Sequence, residues 1–134
     1  MPASGNYVLN KGKAAGGAIA KKRFVKLDTS EPETVVQCDS AGENAYGVSM
    51  FTVTTDEIDL GKGCTVQVEG RAVVESGTTG LEVGQFVTTD NQGRAVVAGT
   101  GSTILGVCDQ RAADVGDECS VVLSMASGAI SAGS

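Results

Sequence analysis

Histidine and tryptophan are absent from this chain of 134 residues, and three Phe and two Tyr are its only aromatic rings. Without His, the side chain that most readily exchanges protons near neutral pH is missing, and Ser-His-Asp and Cys-His nucleophile arrangements are excluded. The four cysteines, Cys38, Cys64, Cys108 and Cys119, form no C-x-x-C pair, so zinc lacks both its usual spacing and its commonest partner. No apolar run approaches the roughly 20 residues that a membrane helix needs. No charged segment followed by an apolar stretch opens the chain at Met1-Pro2-Ala3-Ser4-Gly5. Export is therefore not expected, and the thiols are expected to stay reduced. The G-x-x-x-x-G-K-[ST] pattern is also missing, and Gly61-Lys62-Gly63 leads into an alternating apolar run instead of opening a helix, which weighs against nucleotide binding. Asp56, Glu57 and Asp59 crowd one acidic stretch whose ordinary reading is solvated charge. No catalytic residue, cofactor or metal ligand is nominated, and the chain is not expected to be an enzyme.

What is present is Val, Ala, Gly, Thr and Ser. A core without Trp must be filled by small and β-branched side chains, which suit a pleated surface, while 19 Gly supply turns. At this length one domain buries roughly two-thirds of the surface exposed by the unfolded chain, enough for a true core.

The order in the sequence is that of a duplication. Gly61-Lys62-Gly63-Cys64-Thr65-Val66-Gln67-Val68-Glu69 is answered by Gly116-Asp117-Glu118-Cys119-Ser120-Val121-Val122-Leu123-Ser124. Upstream, Tyr46-Gly47-Val48 answers to Leu105-Gly106-Val107, Val35-Val36 to Val96-Val97, and Phe24-Val25 with Asp28 to Phe86-Val87 with Asp90. The offset shrinks towards the C-terminus, as it does when strands are kept and loops trimmed. Short apolar runs are expected to be strands at about 23–28, 34–38, 45–53, 64–69, 71–75, 85–89, 93–98, 103–109 and 119–125. The expected fold is all-β: a small β-barrel or β-sandwich over residues 23–125, built from repeat copies at about 23–69 and 85–124.

Alternation places Cys64, Val66 and Val68 on an inward face and Thr65, Gln67 and Glu69 on a wet one. Phe24-Val25 and Phe86-Val87 break alternation, through burial on both faces or a bulge. Asp90-Asn91-Gln92-Gly93 marks a hairpin turn. Residues 54–60 lack an equal counterpart and read as an inserted loop or short helix, and residues 126–134 as a flexible tail.

Charge is divided in blocks. Residues 1–27 hold six basic and no acidic side chains, leaving four basic and sixteen acidic for the rest. Residues 1–22 are accordingly expected to form an extended basic arm whose removal leaves the β body folded. Lys11, Lys13, Lys21, Lys22 and Arg23 are the candidate contacts to another chain. Nucleic acid is a poorer partner, because only Tyr7 and Phe24 accompany these cations and the body is acidic.

The Gly-rich start, Phe24-Val25 with Asp28, Gly47-Val48, Val66-Gln67-Val68-Glu69-Gly70 followed by Arg71-Ala72-Val73, then Gly84-Gln85-Phe86-Val87, Leu105-Gly106-Val107 and Val121-Val122-Leu123, resemble tailed-phage capsid decoration (cement) proteins over about residues 7–125. The narrower group has also carried a "predicted phage recombinase" label. The resemblance implies a small β protein, commonly a homotrimer, attached to the outside of the virion head through the major capsid protein, with no catalytic residues. A recombination-related, DNA-associated protein and a ligand-binding β module are the competing classes.

Overall fold

Pairing, not periodicity, defines the elements of this chain. The computed structural model describes residues 9–124; the first eight residues and the expected tail at 126–134 lie outside the described residues. In order the elements are β1 (Leu9–Ala15), β2 (Phe24–Leu27), β3 (Thr34–Gln37), β4 (Gly47–Ser49), α1 (Thr55–Asp59), β5 (Cys64–Glu69), β6 (Arg71–Glu75), β7 (Phe86–Thr89), β8 (Ala95–Val97), β9 (Gly106–Gln110) and β10 (Glu118–Leu123). The first five strands close into a barrel in the order β1-β3-β2-β4-β5, and the second five form a sheet in the order β6-β10-β9-β7-β8. The all-β duplication is thus realised as two consecutive five-stranded units.

The two units are wired alike. β2 pairs antiparallel with β3 and β4, and β4 with β5, as β7 pairs with β8 and β9, and β9 with β10. β1 pairs antiparallel with β5 and parallel with β3; its counterpart β6 pairs antiparallel with β10 and meets β8 through one parallel bridge, Ser76 to Ala95. Even the outlying bridges correspond, Ile19–Val53 in the first unit and Leu81–Ala112 in the second. Gly47 and Gly106 match in a demanding way: a Cβ there would lie 2.5 Å from the Gln67 carbonyl oxygen and 2.3 Å from that of Val122 respectively. Only glycine lets the neighbouring strand approach so closely.

Three sequence expectations change. First, the segment expected to stand apart as an arm supplies β1, so the repeats run from β1 to β5 and from β6 to β10, and the expected strand at 71–75 opens the second copy. β1 went unseen because Lys11 and Lys13 occupy the register positions that Ala72 and Val74 hold in β6. The Lys13 side chain is 14% exposed, and its ammonium lies 5.4 Å from the Tyr46 ring centroid and pairs with Glu33. A long aliphatic stem covers the barrel end while its charge stays wet, and no apolar pattern records this.

Secondly, Val35-Val36 does not answer to Val96-Val97. Val25 pairs with Gln37 and Val87 with Val97, so Val35 corresponds to Ala95 and Val36 to Val96. The β2–β3 turn is longer than the β7–β8 turn, and a loop-length change shifts the letter match without shifting the strand register. The shorter turn is the expected hairpin: Gly93 has φ +76°, and the Asp90 carboxylate accepts from the backbone N–H groups of Gln92 and Arg94, each at 2.8 Å.

Thirdly, Gln67 is buried, at 7% exposure, although Cys64, Val66 and Val68 face inward as expected. Its side-chain amide donates to the carbonyls of Glu69 and Arg71 at 3.1 and 3.0 Å, which satisfies it where the chain passes from one unit to the next.

Residues 54–60 contain the short helix, with a capping box: the Thr54 hydroxyl accepts from the Glu57 N–H, and the Glu57 carboxylate from the Thr54 N–H. The expected strand at 45–53 contracts to β4 followed by the separate bridge at Val53.

Candidate functional site

Two apolar cores meet at one residue pair. Val25 belongs to the interior of the first barrel with Val35, Val53, Cys64 and Val66. Its neighbour Phe24 points the other way, into the cluster that holds Val74, Val87, Leu105 and Val121 of the second unit, together with Cys38, Ala45 and Val48. The first of the two breaks in alternation therefore has an explanation: Phe24-Val25 is buried on both faces, because the second unit covers the outer face of the first.

Polar contacts ring this junction. Lys22 pairs with Glu118, and its carbonyl accepts from the Glu75 N–H at 2.9 Å. Arg23 donates to the Glu75 carboxylate at 3.1 Å and to the Gln92 carbonyl at 2.9 Å, which also accepts from Gln37 at 2.9 Å. The Phe24 N–H donates to the Gly93 carbonyl at 2.7 Å. Thus the sequence-selected cations separate by place. Lys22 and Arg23 tie the two units together, and Lys13 is held by Glu33 and Tyr46, whereas Lys11 and Lys21 are exposed.

The equivalent face of the second unit is uncovered. Phe24, Val48 and Gln67 form a cross-strand row matched by Phe86, Val107 and Val122. The first row is 0%, 2% and 7% exposed; in the second, Phe86 is 54% and Val122 46% exposed. Sequence reasoning did not nominate this row, although the break in alternation at Phe86-Val87 marked its largest member.

The four cysteines are free and buried, and no group of three or more His, Cys, Asp or Glu among the described residues could hold a metal. Burial pushes the Cys38 and Cys119 thiols up to about 12 and raises those of Cys64 and Cys108. Buried protonated thiols are poor nucleophiles. We expect iodoacetamide to label none of them in the native protein and all of them in denaturant, read by mass spectrometry; rapid native labelling would contradict the burial. Because the fold holds these protons more tightly than the unfolded chain, their contribution to stability is complete below the ordinary thiol value of 9.0 and is lost as pH rises towards about 12.

The chain matches the model of the phage cement protein family over residues 3–125. The chain belongs to that family. A search of curated protein sequences gave no significant match. Among solved structures, the cement protein is similar to the crystal structure of the head fiber gp8.5 N base in bacteriophage phi29, with a TM-score of 0.68 and 18% identity, covering 89% of this chain and 96% of that one. At such identity the likeness speaks for the fold. The family match makes this a phage head protein with a structural, capsid-binding role. For a cement protein the relevant chemistry is surface contact, and the surfaces that stand out are the Phe86 row and the exposed Lys11 and Lys21.

Proposed function

We propose that this cement protein decorates the outside of the phage head, binds the major capsid protein at capsomer junctions as a homotrimer, and strengthens the shell without catalysing a reaction. The observation that carries the reading is that the family match runs through both β units, so the whole described body belongs to the cement fold. Packaged DNA presses outward on a thin shell, and a rigid body bridging neighbouring capsomers adds contacts that must break before the lattice opens. Weak contacts suffice, since after the first one forms the others become effectively intramolecular. Lys11, Lys13, Lys21, Lys22 and Arg23 remain the basic stretch offered to an acidic capsid or subunit surface. With Lys13, Lys22 and Arg23 engaged within the chain, Lys11 and Lys21 are the cations available to it.

The test adds purified protein to undecorated expanded heads. Ordered density at capsomer junctions by cryo-microscopy, with improved survival on heating, is the expected result. Lys11→Glu with Lys21→Glu should weaken binding about tenfold at low salt and less at high salt, since exposed charges are screened beyond about 10 Å at 0.1 M. Failure to bind heads, or preference for DNA over heads, would sink the reading.

A further inference from the structure

We infer that the Phe86–Val107–Val122 face is a subunit contact, filled by the Gly12–Ala14 end of the first barrel in a second copy of this chain. This rests on the oligomeric part of the reading above and names the surfaces it requires. The argument is that the molecule already contains the contact once. Within the chain, the row Phe24–Val48–Gln67 is covered by the end of the second unit formed by Glu75, the Gln92-Gly93 turn and Glu118. By strand register, Glu75 corresponds to Ala14, Gly93 to Glu33 and Glu118 to Gly63. Those first-barrel residues line an open depression of about 660 Å³, with Gly12, Pro32 and Thr65 among the others around it. A cover and a face of the same design are thus each present a second time, at different places on the molecule, and both are open. Because they are different surfaces, the contact is head-to-tail, the kind that closes into a ring or runs on as a filament.

The charges agree. Inside the chain the junction is ringed by Lys22 with Glu118 and Arg23 with Glu75. At the equivalent positions the face carries Gly84 and Gln85, and the cover carries Gly63 and Ala14. Both members of each pair are replaced together, and the charges that the cover does carry, Lys13 and Glu33, pair with each other, so docking would strand no unpaired charge. The polar Gln67 of the first face becomes Val122 on the second, which is 46% exposed. The open face is the more apolar of the two, as expected where a subunit contact must hold without a covalent link.

The experiment uses the full chain without heads. Native mass spectrometry and sedimentation should find an assembly larger than the 13.5 kDa chain. Phe86→Asp alters an exposed ring, and Gly12→Arg enters space with nothing within 4 Å of the new Cβ, so both variants should keep the wild-type melting profile. Each should sediment as a single chain. Mixed at high concentration, they should form a dimer of twice that mass, because one variant retains an intact cover and the other an intact face. A monomeric wild type, assembly by either folded variant alone, or no dimer in the mixture overturns the proposal. In particular, a Gly12→Arg protein that still assembles while Phe86→Asp does not would show the apolar faces pairing with each other. Head binding by a protein that fails these tests would leave decoration standing and remove only this interface.

Discussion

Deleting residues 1–15 is expected to unfold the first barrel. β1 closes that barrel, pairing with β5 from Leu9–Glu69 to Lys13–Cys64 and with β3 at Ala14–Thr34 and Ala15–Val35. Without it two strand edges are opened at once, and the inward Cys64 and Val66 lose the cover provided by Ala15 and the Lys13 stem. The unsatisfied edges and newly wetted core together exceed what a domain with about 5–15 kcal/mol of total stability tolerates. Circular dichroism should show no cooperative thermal transition for the first unit, and limited proteolysis should cut within residues 23–69. A deleted protein that melts like the full chain would restore the reading of an independent arm.

Val66→Asp or Val121→Asp is expected to be comparably severe. Both side chains are fully buried in strands that pair on each side, Val66 within the first barrel and Val121 within the second core. A carboxylate there finds no cation and must be buried charged or protonated, at a cost of about 4 kcal/mol or more. Thr65 is half-buried on the opposite face of β5 beside the open depression, so Thr65→Asp should cost no more than about 1 kcal/mol. Chemical denaturation compares the three; equal losses would overturn the assignment of faces. The two Val variants should also differ in place, with protection from hydrogen exchange lost first in the barrel that carries the charge.

Chain order alone disclosed the duplication, since Gly-Val and Cys-x-Val recur in sequence because the same two backbone constraints recur in space. Gly47 and Gly106 let a strand carbonyl approach within the reach of a Cβ, and Cys64 and Cys119 fill equivalent inward positions. The hairpin at Asp90–Gly93 was legible for the same local reason: a carboxylate that accepts from the turn's own N–H groups and a glycine with positive φ are specified within five residues. The inward alternation of Cys64, Val66 and Val68 was equally local.

What escaped the sequence depends on contacts between distant segments. β1 is a strand because β3 and β5 offer it hydrogen bonds, and no apolar period announces a strand that carries the exposed Lys11 and the half-buried Lys13 where the second copy has Ala72 and Val74. Gln67 reads as wet by alternation and is buried because the second unit lies over it. Phe24-Val25 and Phe86-Val87 are the same words in sequence, yet one ring is buried and the other 54% exposed. The sequence by itself determined the all-β class, the duplication, the thiol-bearing inward faces and the lack of histidine chemistry, because each follows from composition or from neighbours a few residues apart. Only the tertiary structure decided where the first barrel begins, which cations are spent holding the units together, and which copy of the aromatic face is left open. Those are outcomes of packing one unit against the other, and two units in a row necessarily leave one such face uncovered.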